Sequence, residues 1–137
     1  AILTLASLKE LDQNISHSKK IYIKYKSLLS NISNVRLLEF DATEQPSYKN
    51  IVIELLTSSL ISRETLVSIL NKENILARAH YSPPLHMKDH EYKTITADMT
   101  NTEFAATRYI NLPCGSRITT LDVERICCLI KDFINNE

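Results

Sequence analysis

A periodic stripe in the first 32 residues constrains the fold more than any other feature of the sequence. Its members recur at spacings of 3, 4, 3, 4, 3, 4 and 3 residues, which places them on one side of an α-helix: Leu8, Leu11, Ile15, Ser18, Tyr22, Tyr25, Leu29 and Ile32. No proline or glycine interrupts the pattern, so it predicts a helix about 38 Å long. A serine and two tyrosines in the stripe favour packing against a domain over a coiled coil.

Short apolar runs follow the predicted helix and indicate a small sheet. Residues 35–40 and 49–56 are predicted strands, and residues 109–112 form a third short strand that Pro113 ends. Residues 74–86 are predicted to be extended and count as a further strand. Helices lie between and after these strands. The order predicts an α+β fold, in which helices cover a small, mostly antiparallel sheet.

Three polar signals predict where the later helices begin. Ser62 is a predicted N-cap, and Thr100 with Glu103 matches a capping box for a helix that ends near Arg108. Thr119 and Asp122 have the same spacing before the last helix, with Asp in place of Glu. The predicted buried face of that last helix comprises Val123, Ile126, Cys127, Ile130, Phe133 and Ile134.

The segment 74–86 concentrates polar groups around Pro83 and Pro84. Proline fixes its own φ and keeps the residue before it out of the helical region, so Ser82 and Pro83 are predicted to be extended. Side chains alternate faces along an extended chain, which places Arg78, His80 and Ser82 on one face and Tyr81 on the other. Such a segment suits ligand binding, but an ordinary crossover loop has the same features.

Composition excludes several classes of function. The chain has 137 residues, of which 44% are hydrophobic, and 16 basic side chains balance 16 acidic ones. These values predict a globular domain and argue against nucleic-acid binding or a membrane-surface role. No apolar run approaches the ~20 residues that span a bilayer. The sequence lacks an initiator Met and signal-peptide features, so we expect it to begin within a longer protein. The chain has three cysteines, two of them adjacent, which is a poor disulfide framework, so we expect the protein to lie in a reducing cytoplasm.

Local patterns provide little support for a self-contained catalytic or metal site. His80, His86 and His90 do not match the ligand spacing of a structural zinc site. Cys114 has no recognisable catalytic signature around it, and we interpret it as a loop cysteine. The chain has one glycine, Gly115, whereas phosphate-binding loops need several. We therefore expect no catalytic, cofactor-binding or metal-binding residue in this chain.

Three groups of segments, taken in order, resemble a known family. The first is LKELD at residues 8–12 with YKSLL at residues 25–29, and the second is ENI at residues 73–75 with HYSPPLH at residues 80–86. The third is TEFAATR at residues 102–108, NLP at residues 111–113 and ITTLDV at residues 118–123. In this order they are similar to the C-terminal part of the DegT/DnrJ/EryC1/StrS aminotransferases, a family of fold-type I enzymes that depend on pyridoxal phosphate.

The resemblance implies that the parent protein moves an amino group from glutamate onto a keto-deoxysugar nucleotide and works as a homodimer. It implies that residues 1–33 form an interdomain helix and residues 34–137 the small C-terminal domain. The large domain, which holds the cofactor, would then lie before residue 1. The isolated chain is therefore predicted to bind no pyridoxal phosphate and to be inactive.

By the same resemblance, four residues are candidates for substrate binding: His80, Tyr81, His86 and Arg78. Arg78 suits bidentate binding of a diphosphate. Two alternatives stay open, because His86 can instead anchor the loop around the prolines and Tyr81 can belong to the core. Two other functions also stay open, namely a free-standing α+β binding or dimerisation module and a histidine-based sensor.

Overall fold

Within the part of the chain that the structure describes, four helices and a three-stranded antiparallel sheet form an α+β fold, as predicted. The computed structural model describes residues 8–41, 43–79, 81–89, 91 and 97–135. Its helices and strands follow in this order: α1 (Leu11–Leu29), β1 (Val35–Leu37), β2 (Ile51–Leu55), α2 (Arg63–Lys72), a 3₁₀ turn (Leu85–Met87), α3 (Thr100–Arg108), β3 (Tyr109–Leu112) and α4 (Thr120–Asn135). No helix in these ranges is long and apolar enough to cross a membrane. The division at residue 33 stays a prediction.

The sheet has β2 in the centre and presents two different faces. Both pairs are antiparallel, with Ile53 opposite Leu37 in β1 and opposite Ile110 in β3. Because side chains alternate along a strand, Ile51, Ile53 and Leu55 share the inner face, and all three are buried in the core. The outer face carries Val52 and Glu54 from β2, with Tyr109 and Asn111 opposite them in β3.

The stripe on α1 is confirmed in its C-terminal half and exposed at its start. Tyr25 and Leu29 are fully buried, and the Tyr25 hydroxyl donates to the Pro113 carbonyl at 3.0 Å. Leu8 and Leu11 are 60% and 46% exposed. Within the described part of the chain, other residues therefore bury only part of the predicted stripe.

The helix predicted from Thr100 to about Arg108 is confirmed, and so are two of the three predicted N-terminal caps. The Ser62 hydroxyl accepts from the Thr65 backbone N–H, as an N-cap does. At α4, the Thr119 N–H donates to Asp122 at 2.8 Å while the Thr119 hydroxyl accepts from the Asp122 N–H, which completes the reciprocal box.

The predicted capping box at α3 is wrong. Its N-cap is Met99, and Asp98 Oδ1 accepts both the Thr100 backbone N–H and the Thr100 hydroxyl, at 3.0 and 2.5 Å. The aspartate therefore takes the role that Thr100 and Glu103 were predicted to share. It lies two residues before Thr100, outside the S/T-x-x-E pattern.

Among the described residues of the segment 74–86, strand pairing occurs at one point. Arg78 pairs with Asn111 in an isolated antiparallel bridge, with N···O distances of 3.0 and 2.8 Å. Beyond it the chain turns at Tyr81 and enters the 3₁₀ turn, so the prediction of an extended strand through Pro83 is wrong. Proline has no N–H to donate to a ladder, and two successive prolines prevent the pairing from continuing.

The face predicted for α4 is confirmed in its centre. Val123, Ile126, Cys127 and Ile130 are buried, whereas Phe133 near the C-terminal end is 37% exposed. The predicted first strand ends at Leu37, three residues early. Phe40, which was predicted to continue that strand, instead packs against the rings of Tyr22 and Tyr48, with centroids 5.1 and 5.2 Å away.

Candidate functional site

A groove of about 930 Å³ lies on the outer face of the sheet. We call it the outer groove. Its floor includes Val52 and Asn111 from the sheet, and one wall is the N-terminal part of α3 with Ala105. The opposite wall is the proline loop, defined here as residues 81–88, which contributes Tyr81, Pro83, Pro84, Leu85 and Lys88. The segment that was predicted to bind a ligand therefore lines the groove.

A buried arginine holds α3 against the neighbouring helix. The Arg63 side chain is 2% exposed, and its guanidinium donates to the Ala106 carbonyl and to the Glu64 carboxylate. The pairing lowers the pKa of Glu64. Because Ala106 lines the outer groove, Arg63 fixes the α3 wall from behind. Sequence patterns gave no sign of this role, since arginine at the start of a helix is ordinarily exposed.

Two asparagines form the polar part of the floor. Asn111 Nδ2 lies 3.4 Å from Asn50 Oδ1, and Asn111 Oδ1 is buried without a hydrogen-bond partner among the described residues. A buried acceptor without a partner is rare and destabilising. The sequence prediction missed both residues. The available signal was an asparagine inside a strand, where that residue type is depleted.

Arg78 projects from the same face as Asn111. In an antiparallel pair, residues directly opposite each other place their side chains on the same side of the sheet. Arg78 is opposite Asn111 and exposed, so its guanidinium belongs to the groove side of the sheet edge. The predicted candidate Arg78 therefore lies next to the groove floor.

The groove is neutral to positive. Lys88 lines one wall, and none of the described lining residues carries a carboxylate. The nearest acidic side chain in the sheet is Glu54, which is 3% exposed and accepts from Arg36 Nε at 2.9 Å. That pairing offsets the charge of Glu54. A neutral or anionic ligand with an apolar surface suits these walls.

The other predicted substrate contacts differ in their positions. Tyr81 lines the outer groove and is 76% exposed, so its assignment to the core is wrong. His86 lies away from the groove surface, and its Nε2 donates to Glu103 Oε1 at 3.1 Å. This bond agrees with the alternative in which His86 anchors the loop. His80 lies outside the described residues.

Thiol and metal chemistry find no support in the described residues. Burial raises the pKa of Cys114 and holds that of Cys127 at about 12, so both thiols are poor nucleophiles at neutral pH. The adjacent Cys128 is exposed. Within the described part of the chain, no group of three or more His, Cys, Asp or Glu side chains is placed to hold a metal ion. His90 lies outside that part.

Comparison with known proteins identifies the family. A sequence model of the DegT/DnrJ/EryC1/StrS aminotransferase family matches residues 1–131. The chain belongs to this family. Its matched range contains α1, the proline loop, α3 and the whole sheet, and therefore all the described residues of the outer groove.

Individual relatives are distant in sequence and close in fold. The chain is 22% identical over 145 residues to the UDP-4-amino-4-deoxy-L-arabinose–oxoglutarate aminotransferase of Shewanella sediminis (strain HAW-EB3), matching 100% of this chain and 37% of that protein. The structure of DesI with its TDP-sugar product superposes with a TM-score of 0.85 at 23% identity, covering 93% of this chain and 33% of DesI. Helicobacter pylori PseC gives 0.85 at 18% identity, covering 97% and 36%. The chain thus spans about a third of each relative.

The family uses pyridoxal phosphate, but the described residues do not fit that cofactor. Its chemistry needs a lysine with a lowered pKa in a desolvated setting. Every described lysine is exposed except Lys24, which pairs with Glu124 at 2.5 Å. Hydrogen bonding to Glu39 raises the pKa of Lys26. No described lysine therefore fits the role of the cofactor lysine.

Proposed function

We propose that this chain is the small domain of a nucleotide-sugar aminotransferase that depends on pyridoxal phosphate. The complete enzyme would transfer an amino group from glutamate to a keto-deoxysugar nucleotide in the synthesis of a polysaccharide or antibiotic sugar. In this proposal the cofactor binds outside the chain, and the enzyme is a cytoplasmic homodimer. The family membership supports the reaction class.

The position of the proline loop carries the proposal. This loop contains part of the family resemblance and also forms a wall of the outer groove, beside the cationic edge formed by Arg78. We assign the groove as one wall of the substrate cleft. Tyr81 and the two prolines offer apolar surface to a sugar or base. Arg78 supplies a bidentate donor for a diphosphate. His80 stays a proposed contact from the same segment.

A kinetic comparison in the complete gene product tests this assignment. Arg78→Ala should raise KM for the sugar nucleotide about 10- to 100-fold, since a hydrogen bond to a charged group contributes about 1.5–3 kcal/mol. The matched control is Arg117→Ala, because Arg117 is exposed in the segment between β3 and α4 and does not line the groove. An unchanged KM in Arg78→Ala contradicts the assignment. Absence of amino transfer to any keto-sugar nucleotide contradicts the proposed activity.

The alternative is a free-standing binding or dimerisation module, which the exposed Leu8 and Leu11 favour. Experiments on the isolated chain do not separate the two proposals, and the sequence of its gene is needed as well. A reading frame that encodes a cofactor-binding domain before residue 1 supports the aminotransferase, and one that starts near residue 1 supports the module. In either case, we expect the isolated chain to show no pyridoxal absorbance after dialysis. Retained absorbance would contradict both.

A further inference from the structure

His86 and Glu103 connect the two walls of the outer groove. His86 belongs to the 3₁₀ turn of the proline loop, and Glu103 lies in the first turn of α3. The imidazole Nε2 donates to the carboxylate Oε1 at 3.1 Å, across 17 residues of sequence. Neither side chain lines the groove, whereas their neighbours Leu85 and Thr102 do.

The burial of the His86 side chain suits a structural tether, although its partner Glu103 is 49% exposed. The His86 side chain is 15% exposed, whereas Leu85, one residue earlier, is 71% exposed. Two hydrogen bonds shape the turn from within: the Met87 N–H donates to the Pro84 carbonyl at 3.0 Å, and the Lys88 N–H donates to the Leu85 carbonyl at 3.2 Å. These bonds set the shape of the turn but do not fix its position relative to α3. The hydrogen bond between His86 and Glu103 joins the turn to α3.

We propose that His86 is a positioning residue, which acts through Glu103 to hold the proline loop at a set distance from α3. This inference rests on the proposed function for its catalytic consequence, because the loop and α3 are then walls of the substrate cleft. It reassigns His86 from substrate contact to loop anchor. Glu103, which was predicted to cap a helix, becomes the other half of the tether.

Local opening of the loop gives a readout that needs no enzyme activity. Chymotrypsin cleaves after exposed Leu85 only when the loop departs from its folded shape, so the cleavage rate reports the open population. Glu103→Ala in the chain should raise that rate about three- to tenfold. Glu103→Gln keeps an oxygen acceptor and should restore most of the protection. Glu91→Ala is the matched control, since it removes an exposed carboxylate from the neighbouring segment.

A double-mutant cycle separates the tether from a general effect of Glu103 on α3. In a His86→Ala background the partner of Glu103 is already absent, so Glu103→Ala should change the cleavage rate less than 1.5-fold. Full additivity of the two substitutions would overturn the proposal. Equal protection in Glu103→Ala and the parent chain would overturn it as well. If Glu103→Ala unfolds the chain, the same cycle is run with Glu103→Met, which keeps a long helix-forming side chain and removes the carboxylate acceptor.

Kinetics in the complete gene product then test the consequence for the cleft. We expect Glu103→Ala to raise KM for the sugar nucleotide about three- to tenfold and to change kcat less than twofold. A His86→Ala enzyme that loses kcat with an unchanged KM would show that His86 contacts reacting atoms, and would overturn the positioning role. Because the cleavage assay is independent of turnover, a wrong proposed activity leaves the test of the tether intact.

Discussion

Asn111→Val should stabilise the isolated chain while removing the polar centre of the outer groove. The Asn111 side chain has one buried acceptor without a described partner and one long hydrogen bond, 3.4 Å to Asn50. An unsatisfied buried acceptor destabilises a protein by about 1–3 kcal/mol. Valine at a strand position adds a few tenths of a kcal/mol, and the lost contact to Asn50 removes about 0.5 kcal/mol. The expected net gain is about 1–2 kcal/mol in the free energy of unfolding.

Urea unfolding at neutral pH measures this gain as a shift of the midpoint at constant m-value. Asn111→Thr is the matched control, because threonine has the β-branched shape of valine and keeps a polar group. If the buried acceptor is the cause, valine stabilises the chain by about 1 kcal/mol more than threonine. Equal gains would assign the effect to strand propensity, and a destabilised Asn111→Val variant would refute the argument.

Three further substitutions test the fold. Tyr25→Phe should lower the free energy of unfolding by about 1–2.5 kcal/mol, measured by urea titration, because the Pro113 carbonyl loses its donor at 3.0 Å. Hydrogen bonds from Thr119 lower the pKa of Asp122 below 3.8, so its charge stabilises the fold above that pH. The stability difference between the parent and Asp122→Asn should shrink as pH falls below about 3.8 in acid titrations. Leu11→Gln should reduce self-association in sedimentation, because Leu11 is 46% exposed.

Each of these has an outcome that would contradict it. An unchanged urea midpoint in Tyr25→Phe would mean that water replaces the hydroxyl without a loss in the free energy of unfolding. A stability difference between Asp122→Asn and the parent that stays constant across the whole acid titration would show that the amide, and not the lost charge, causes the change. A parent chain that stays monomeric at high concentration would remove the reason for the Leu11 substitution. Ser27→Gln on the exposed side of α1 is the control for that experiment.

Local sequence patterns correctly predicted helix caps that depend on neighbouring residues alone. The cap at Ser62 and the reciprocal box at Thr119 and Asp122 depend on groups at most three residues apart, and both were confirmed. The α3 cap failed because Asp98 competes for the Thr100 N–H from outside the expected spacing. The pattern considers only the Thr100–Glu103 pair, whereas the backbone N–H donates to whichever oxygen lies within reach.

The outer groove could not be predicted in the same way, because its contacts join distant parts of the chain. Arg78 reaches Asn111 across a bridge of 33 residues in sequence, and Arg63 reaches the Ala106 carbonyl across 43. Alternation did predict that Arg78 shares a face with other polar groups. Alternation could not identify the strand that pairs with Arg78, because the side-chain pattern of a strand is the same whichever neighbour it has.

The reassignment of His86 follows from the same limit. Viewed within the proline loop alone, a histidine beside two prolines, an arginine and a tyrosine suggests ligand binding. The structure adds Glu103 from α3, and a hydrogen bond to that carboxylate engages Nε2, one of the two imidazole nitrogens. Arg78 is exposed beside the groove and Tyr81 is exposed within it, whereas His86 is not exposed. The three residues share one sequence context and differ in accessibility. Under the proposed function, Arg78 and Tyr81 are the described residues of this segment that are placed to contact a substrate, His80 stays a proposed contact, and His86 holds the wall beside them.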